Sequence, residues 1–168
     1  MADFEVEIGG LMDREGAFVD DPDDPGGATK WGISARSYPD EDIPNMTRLR
    51  ASEIYWRDFW HPLKCDEIHP QAVASLLFDA GVMSGAKQAI KTLQAASGAR
   101  TDGIIGPMTL YSVNHAKSFK LLAAEFALRR IQFYVSLTIK RSSRKKFFLG
   151  WVNRTLTVYF NNRRLNDG

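Results

Sequence analysis

The stretch Glu15 to Ser34, EGAFVDDPDDPGGATKWGIS, restricts the fold of this chain more than any other. Pro22, Pro25, Gly26 and Gly27 fall within six residues, so no helix or long strand can run through it. Before it, Phe4, Ile8, Leu11 and Met12 recur at helical spacing, and Asp3 to Arg14 reads as an amphipathic first helix. After it, Ala28 to Ile33 has the composition of a short β-like return. The expected outline is a helix, a tight polar loop, and a return that brings Asp24 and Thr29 back towards Glu15.

That outline has chemical content. Glu15 stands at the C-terminal end of the first helix, where the helix dipole disfavours an anion. With Ala17 and Phe18 as apolar neighbours, an acid there is expected to hold its proton near neutral pH, as a general acid for a glycosidic oxygen must. Asp24, among polar neighbours, is expected to stay ionised, and Thr29 is placed to orient a water. The plain alternative is a solvated glutamate followed by a connecting loop. A third reading takes the aspartates Asp20, Asp21, Asp23 and Asp24 as calcium ligands. However, DDPDDPGG lacks the alternating ligands and closing bidentate glutamate of an EF-hand loop.

The length of 168 residues suits one domain, or a domain with a closely packed subdomain. The single cysteine, Cys65, allows no internal disulfide and reads as a small buried hydrophobe. MADFEVEIGG has neither the basic segment nor the apolar run of a signal peptide, so export is expected to depend on another protein. The small net charge of +2 conceals a strong asymmetry. Residues 1–116 carry 10 Lys+Arg against 18 Asp+Glu, a balance of −8, and residues 117–168 carry 12 against 2, a balance of +10. The basic end should seek anionic surfaces.

Further along, Thr47 is expected to cap a helix reaching about Trp60, after an irregular loop over Tyr38 to Asn45. Trp31, Trp56 and Trp60 are expected mainly in the core. Pro70 to Val82 is apolar enough to be a buried central helix. Helices are also expected over Ala86–Ala96, from Pro107, over Lys117–Lys140, and from about Phe147 through Phe160, with Pro107 in a first turn. Asp102 is expected to hold the backbone amides of the loop before Pro107. His61, His69 and His115 lack a zinc-ligand spacing, and no glycine-rich phosphate loop, repeat or low-complexity tract is present. No cofactor or metal is expected.

On these residues the chain resembles glycoside hydrolase family 108, the lysozyme-like muramidases of phage endolysins and some secretion systems. The opening block is similar to that family's EGGY…D-x-GG-x-T-x-x-G-I signature, with Gly16-Ala17 in place of Gly-Gly. Phe78 to Gly85, FDAGVMSG, resembles the FDxAVNxG stretch, with Met83 where an asparagine is usual. Leu93-Gln94, Asp102 to Pro107 and Thr109 are similar to a helical peptidoglycan-binding module. Phe148 to Arg154, FLGWVNR, resembles the F-x-x-GW-x-NR ending.

The resemblance implies a mainly α, α+β lysozyme-like fold: a helical bundle with a small hairpin near the N-terminus. A catalytic lobe over 1–85 and a helical peptidoglycan-binding portion over 86–168 are expected. It implies Glu15, Asp24 and Thr29 as catalytic residues, and Gln94, Asp102, Trp151, Asn153 and Arg154 as substrate-binding ones. Asp79 is expected to be structural. The implied activity is hydrolysis of the β-1,4 bond between N-acetylmuramic acid and N-acetylglucosamine in bacterial peptidoglycan. A phage endolysin of this kind would be a monomer, held in the host cytoplasm until a holin or similar partner opens the membrane. Separately, the charge of residues 117–168 makes an anionic outer-membrane surface or wall polymer a further expected contact. A lytic transglycosylase and a non-catalytic wall-binding protein remain as other readings. Nucleic-acid binding through residues 117–168 is disfavoured, because Phe147, Phe148 and Trp151 fall at core spacing.

Overall fold

Asp3 starts the first helix. Its carboxylate accepts the Glu5 amide at 2.9 Å, and α1 then runs over Phe4–Glu15. The computed structural model describes residues 1–16, 18–19 and 27–164, with the backbone alone for 163 and 164. A two-stranded antiparallel hairpin follows, β1 (Thr29–Lys30) and β2 (Ile33–Ser34), with Thr29 opposite Ser34 and Lys30 opposite Ile33. Then come α2 (Arg48–Tyr55), α3 (Gln71–Ser84), α4 (Ala86–Ser97), α5 (Pro107–Asn114), α6 (Phe119–Lys140) and α7 (Lys145–Arg164).

Packing divides the chain into two units, 3–60 and the pair 1–2 with 61–168. The expected division fell at 85/86. By packing, α3 goes with the second unit: it is buried from Val73 through Gly81 against α4, α6 and α7. A helix covered on all sides needs neighbours all round, and the other three long helices of this unit supply them.

In the first unit, α1 turns Ile8, Leu11 and Met12 inward, and Ile33, Ile43, Met46, Ile54, Tyr55 and Trp60 are likewise buried. Phe4 meets Trp60 edge-on, with ring centroids 5.4 Å apart. Thr47 caps α2 as expected, its Oγ1 accepting the Arg50 amide at 3.1 Å. That helix stops at Tyr55, and Trp56–Trp60 continues as a π-helical turn. Of the three tryptophans expected in the core, Trp60 is buried, Trp31 is half-buried and Trp56 is exposed. Trp56 opens that turn on the exposed side, and Trp60 closes it against Phe4.

In the second unit, Pro107 occupies the first turn of α5 and Ser118 caps α6. Asp79, in the middle of α3, is fully buried between two guanidinium groups. Arg154 Nε donates to Oδ1 at 2.9 Å, and Arg130 Nη2 lies 2.6 Å from Oδ2. This triad ties α3 to α6 and α7. No described helix is long and apolar enough to cross a membrane.

Candidate active site

The rotation of α1 decides where its last residue points. Ile8, Leu11, Met12 and Glu15 follow the spacing of one helical face, so a helix that buries the first three carries the fourth to the same side. Glu15 is accordingly half-buried, and its Oε1 is inaccessible to solvent. Gly16 ends the helix at φ 80°, its amide donating to the Met12 carbonyl at 3.1 Å. Only glycine takes that backbone angle without strain, and it swings the chain away directly after the acid.

The surroundings of the acid differ from those expected. Phe18 is exposed, and Ala17 lies outside the described residues. The hairpin turn covers Glu15 instead. Trp31 (φ 52°) and Gly32 (φ 78°) both adopt left-handed geometry, the turn that matches the twist of a two-residue hairpin. A Cβ on Gly32 would collide with the Tyr55 hydroxyl and stand 2.9 Å from Glu15 Cγ. The hydroxyl of buried Tyr55, at the end of α2, donates to the Trp31 carbonyl at 2.9 Å. The Arg48 guanidinium lies over the Trp31 indole, 5.4 Å from its centroid. Left-handed geometry costs a side-chain-bearing residue about 1–2 kcal/mol, and these two contacts hold Trp31 in it.

Val19 and Thr29 form an isolated antiparallel bridge, each amide donating to the other's carbonyl at 2.8 Å. The polar loop is thereby closed at its base, and Thr29 starts the strand that leads to the turn over Glu15. Thr29 Oγ1 donates to the Gly27 carbonyl at 3.2 Å, which leaves its lone pairs as acceptors. Asp24, and with it the expected pairing of two carboxylates, lies outside the described residues, as do the other three aspartates of the loop. Among the described residues no group of three His, Cys, Asp or Glu could hold a metal ion.

Tyr55, Trp31, Gly32 and Arg48 build the site, yet their residue types gave no signal of that role. The dipeptide Trp31-Gly32 between β-prone residues was the available clue to the turn. Nothing in the sequence aims Tyr55 at it. Further out in the same unit, the Tyr38 hydroxyl donates to Asp58 Oδ2 at 3.0 Å, and Arg57 Nε donates to Asp58 Oδ1 at 2.6 Å. Burial, then the neighbouring Asp58 carboxylate, pushes the Tyr38 phenol up to about 12. The Arg57 hydrogen bond holds Asp58 below the usual carboxylate range.

The five residues with expected substrate roles all lie in the second unit, in two groups: Gln94 with Asp102 at the loop before α5, and Trp151, Asn153 and Arg154 on α7. Gln94 is buried and committed to the loop before α5: its Nε2 donates to Asp102 Oδ1 at 2.8 Å, the Ile104 carbonyl at 3.0 Å and Thr109 Oγ1 at 3.1 Å. Its Oε1 accepts the Gly103 amide at 2.8 Å. Asp102 also accepts the Ile104 amide at 2.9 Å, the backbone-holding contact expected of it. The Gln94 hydrogen bond and that amide keep the Asp102 carboxyl below its ordinary range. On α7, Trp151 is half-buried against Tyr134 and Phe147, Asn153 is exposed, and Arg154 is engaged with Asp79. A groove of about 850 Å³ in this unit is lined by His69, Phe119, Lys120, Leu121 and Tyr159 among others.

A helix-terminal carboxyl covered by a small hairpin, in a chain that is otherwise helical, defines a lysozyme-like protein. Residues 8–85 match the family model of glycosyl hydrolase 108, and residues 88–156 match that of the "Predicted Peptidoglycan domain". The chain thus joins a glycosyl hydrolase 108 segment to a peptidoglycan domain, and the coarse reading is a glycoside hydrolase directed at peptidoglycan. Among solved structures it is similar to one titled "Structure of Brucella abortus SagA", at 28% identity and a TM-score of 0.79, covering 96% of this chain and 94% of that one. No curated protein matches the chain.

Proposed function

We propose that this chain is an N-acetylmuramidase that hydrolyses the β-1,4 bond between N-acetylmuramic acid and N-acetylglucosamine. Glu15 delivers a proton to the bridging oxygen. Asp24 stabilises the oxocarbenium-like transition state or activates water, and Thr29 helps to place that water through its free lone pairs. The separation of the two carboxyls would decide between inversion and retention. What most supports this reading is the position of Glu15, on the inward face at the end of α1 with its stem under the Gly32 turn. A carboxyl so held can meet a glycan oxygen in one orientation, which a solvated surface glutamate cannot.

In the second unit, Trp151 and Asn153 are accessible enough to touch the wall. Gln94, Asp102 and Arg154 serve by fixing the loops and helices around them. The chain acts as a monomeric endolysin, released to the wall from the cytoplasm by a holin-type partner; the family resemblance supports this part.

The test is clearing of purified sacculi by native protein and by Glu15→Gln. Removing a general acid costs roughly 10²–10⁴ in rate, so clearing should fall by at least about a hundredfold with the melting temperature unchanged. Undiminished clearing by the amide variant would overturn the assignment. Mass spectrometry should find reducing muramic ends; 1,6-anhydromuramic ends would identify a lytic transglycosylase instead. Lysis of producing cells only when a pore-forming partner is co-expressed would match the endolysin role, and lysis without one would contradict it.

A further inference from the structure

The end of α6 and the start of α7 meet at a short 3₁₀ connection, Ser142–Arg144. Around this corner stand Lys140, Arg141, Lys145 and Lys146, all exposed, and Arg144, which is partly so. No acidic residue faces them within the two helices: from Phe126 to Arg164 the sequence has no Asp or Glu. Glu125, far back on α6, is paired with Arg129 at 2.8 Å.

A cationic corner alone would suit any polyanion. This one also exposes large apolar side chains, with Ile139 at 79%, Leu149 at 68% and Phe147 at 51% accessible. All three lie within about one and a half helical turns of the connection. Polyphosphate gives such side chains nothing to bury against, and Ile139 and Leu149 have no ring to stack on a nucleic-acid base. A bilayer with anionic headgroups buries them, because apolar tips enter the acyl boundary while lysines and arginines stay at the phosphates. Cation and apolar side chain are already neighbours here, the Lys146 Nζ standing 4.9 Å from the centre of the Phe147 ring.

We infer that the α6–α7 corner is a membrane-docking tip that takes an anionic lipid surface. Headgroup phosphates contact Lys140, Arg141, Lys145 and Lys146, and Ile139 and Leu149 enter the interface. The inference goes beyond the hydrolase reading and does not depend on it, since binding is read on Glu15→Gln protein that need not turn over.

Co-sedimentation of the full chain with vesicles tests it. The probes are mixed phosphatidylglycerol–phosphatidylcholine vesicles, pure phosphatidylcholine vesicles and soluble polyphosphate. Binding to the anionic vesicles is expected at low salt, with little binding to the neutral ones and steep weakening as salt rises. Lys145→Gln with Lys146→Gln should weaken vesicle binding by roughly five-fold per cation. Ile139→Ser with Leu149→Ser should weaken vesicle binding several-fold while leaving polyphosphate binding unchanged. Both substituted pairs are exposed, so melting temperatures should hold. Absence of binding to anionic vesicles overturns the inference. Full vesicle binding by Ile139→Ser/Leu149→Ser overturns it too, and would make the corner a general polyanion site.

Discussion

Gly32 is the residue on which the geometry of the acid depends most. Its φ of 78° already excludes easy replacement, and a methyl group there meets both the Tyr55 hydroxyl and the stem of Glu15. Gly32→Ala should therefore displace the Glu15 carboxyl as well as strain the turn. A loss of about 1–2 kcal/mol in stability is expected from the backbone alone. The fall in sacculus clearing should be larger than this instability explains, since a misplacement of about 1 Å can cost a hundredfold. Tyr55→Phe separates the two effects. It removes the hydrogen bond to the Trp31 carbonyl, worth about 1 kcal/mol, but adds no bulk, so clearing should drop only several-fold. Paired measurements of melting temperature and clearing rate check both, and equal activity losses in the two variants would argue against a positioning role for the turn. The inward placement of Glu15 was legible from the sequence because its spacing from Ile8, Leu11 and Met12 is a local property. The cover over it was not, since Tyr55 reaches the turn from a helix that begins well beyond it in the chain.

Among the elements, caps and turn residues were the most readable. Thr47 before α2 and Pro107 at the start of α5 act through bonds or angles within a turn of themselves, so composition announces them. The π turn at Trp56–Trp60 was not announced. Ile54, Tyr55, Phe59 and Trp60 fit an α-helical reading as well, and one wider turn leaves no compositional mark. The loop before α5 carries a pH signature of its own. Gln94 and the Ile104 amide bond the ionised form of Asp102, and its folded-state pKa is lowered accordingly. A lowered carboxyl contributes stability that is complete above the unfolded value of about 3.9 and is lost as pH falls through the folded value. Thermal melts from about pH 5 downward should therefore fall more steeply for native protein than for Asp102→Asn. Both share the titration of Asp58 and Glu41, so the difference between the curves isolates this loop. Parallel curves would show that Gln94 holds the loop without the charge.

At the scale of the whole molecule, the charge asymmetry could be counted from the sequence, but the partner of Asp79 could not. Arg130 and Arg154 lie on two later helices, and no local pattern links either to an aspartate in α3. The triad crosses the expected 85/86 division, and the joining of α3 to α6 and α7 depends partly on it. Asp79 has no exposed surface and Arg130 almost none. Removing the carboxylate would leave two guanidinium groups facing each other in the interior, and breaking a buried ion pair in this way costs about 3–5 kcal/mol. Asp79→Ala should lower the unfolding free energy of the helical unit by about that amount. Arg154→Met should cost less, because the Arg154 side chain is 14% exposed and Arg130 still neutralises the aspartate. Urea denaturation followed by far-ultraviolet circular dichroism ranks the two. A cost below about 1 kcal/mol for Asp79→Ala would mean that the arginines reach water once released, and that apolar packing alone holds α3 among its neighbours.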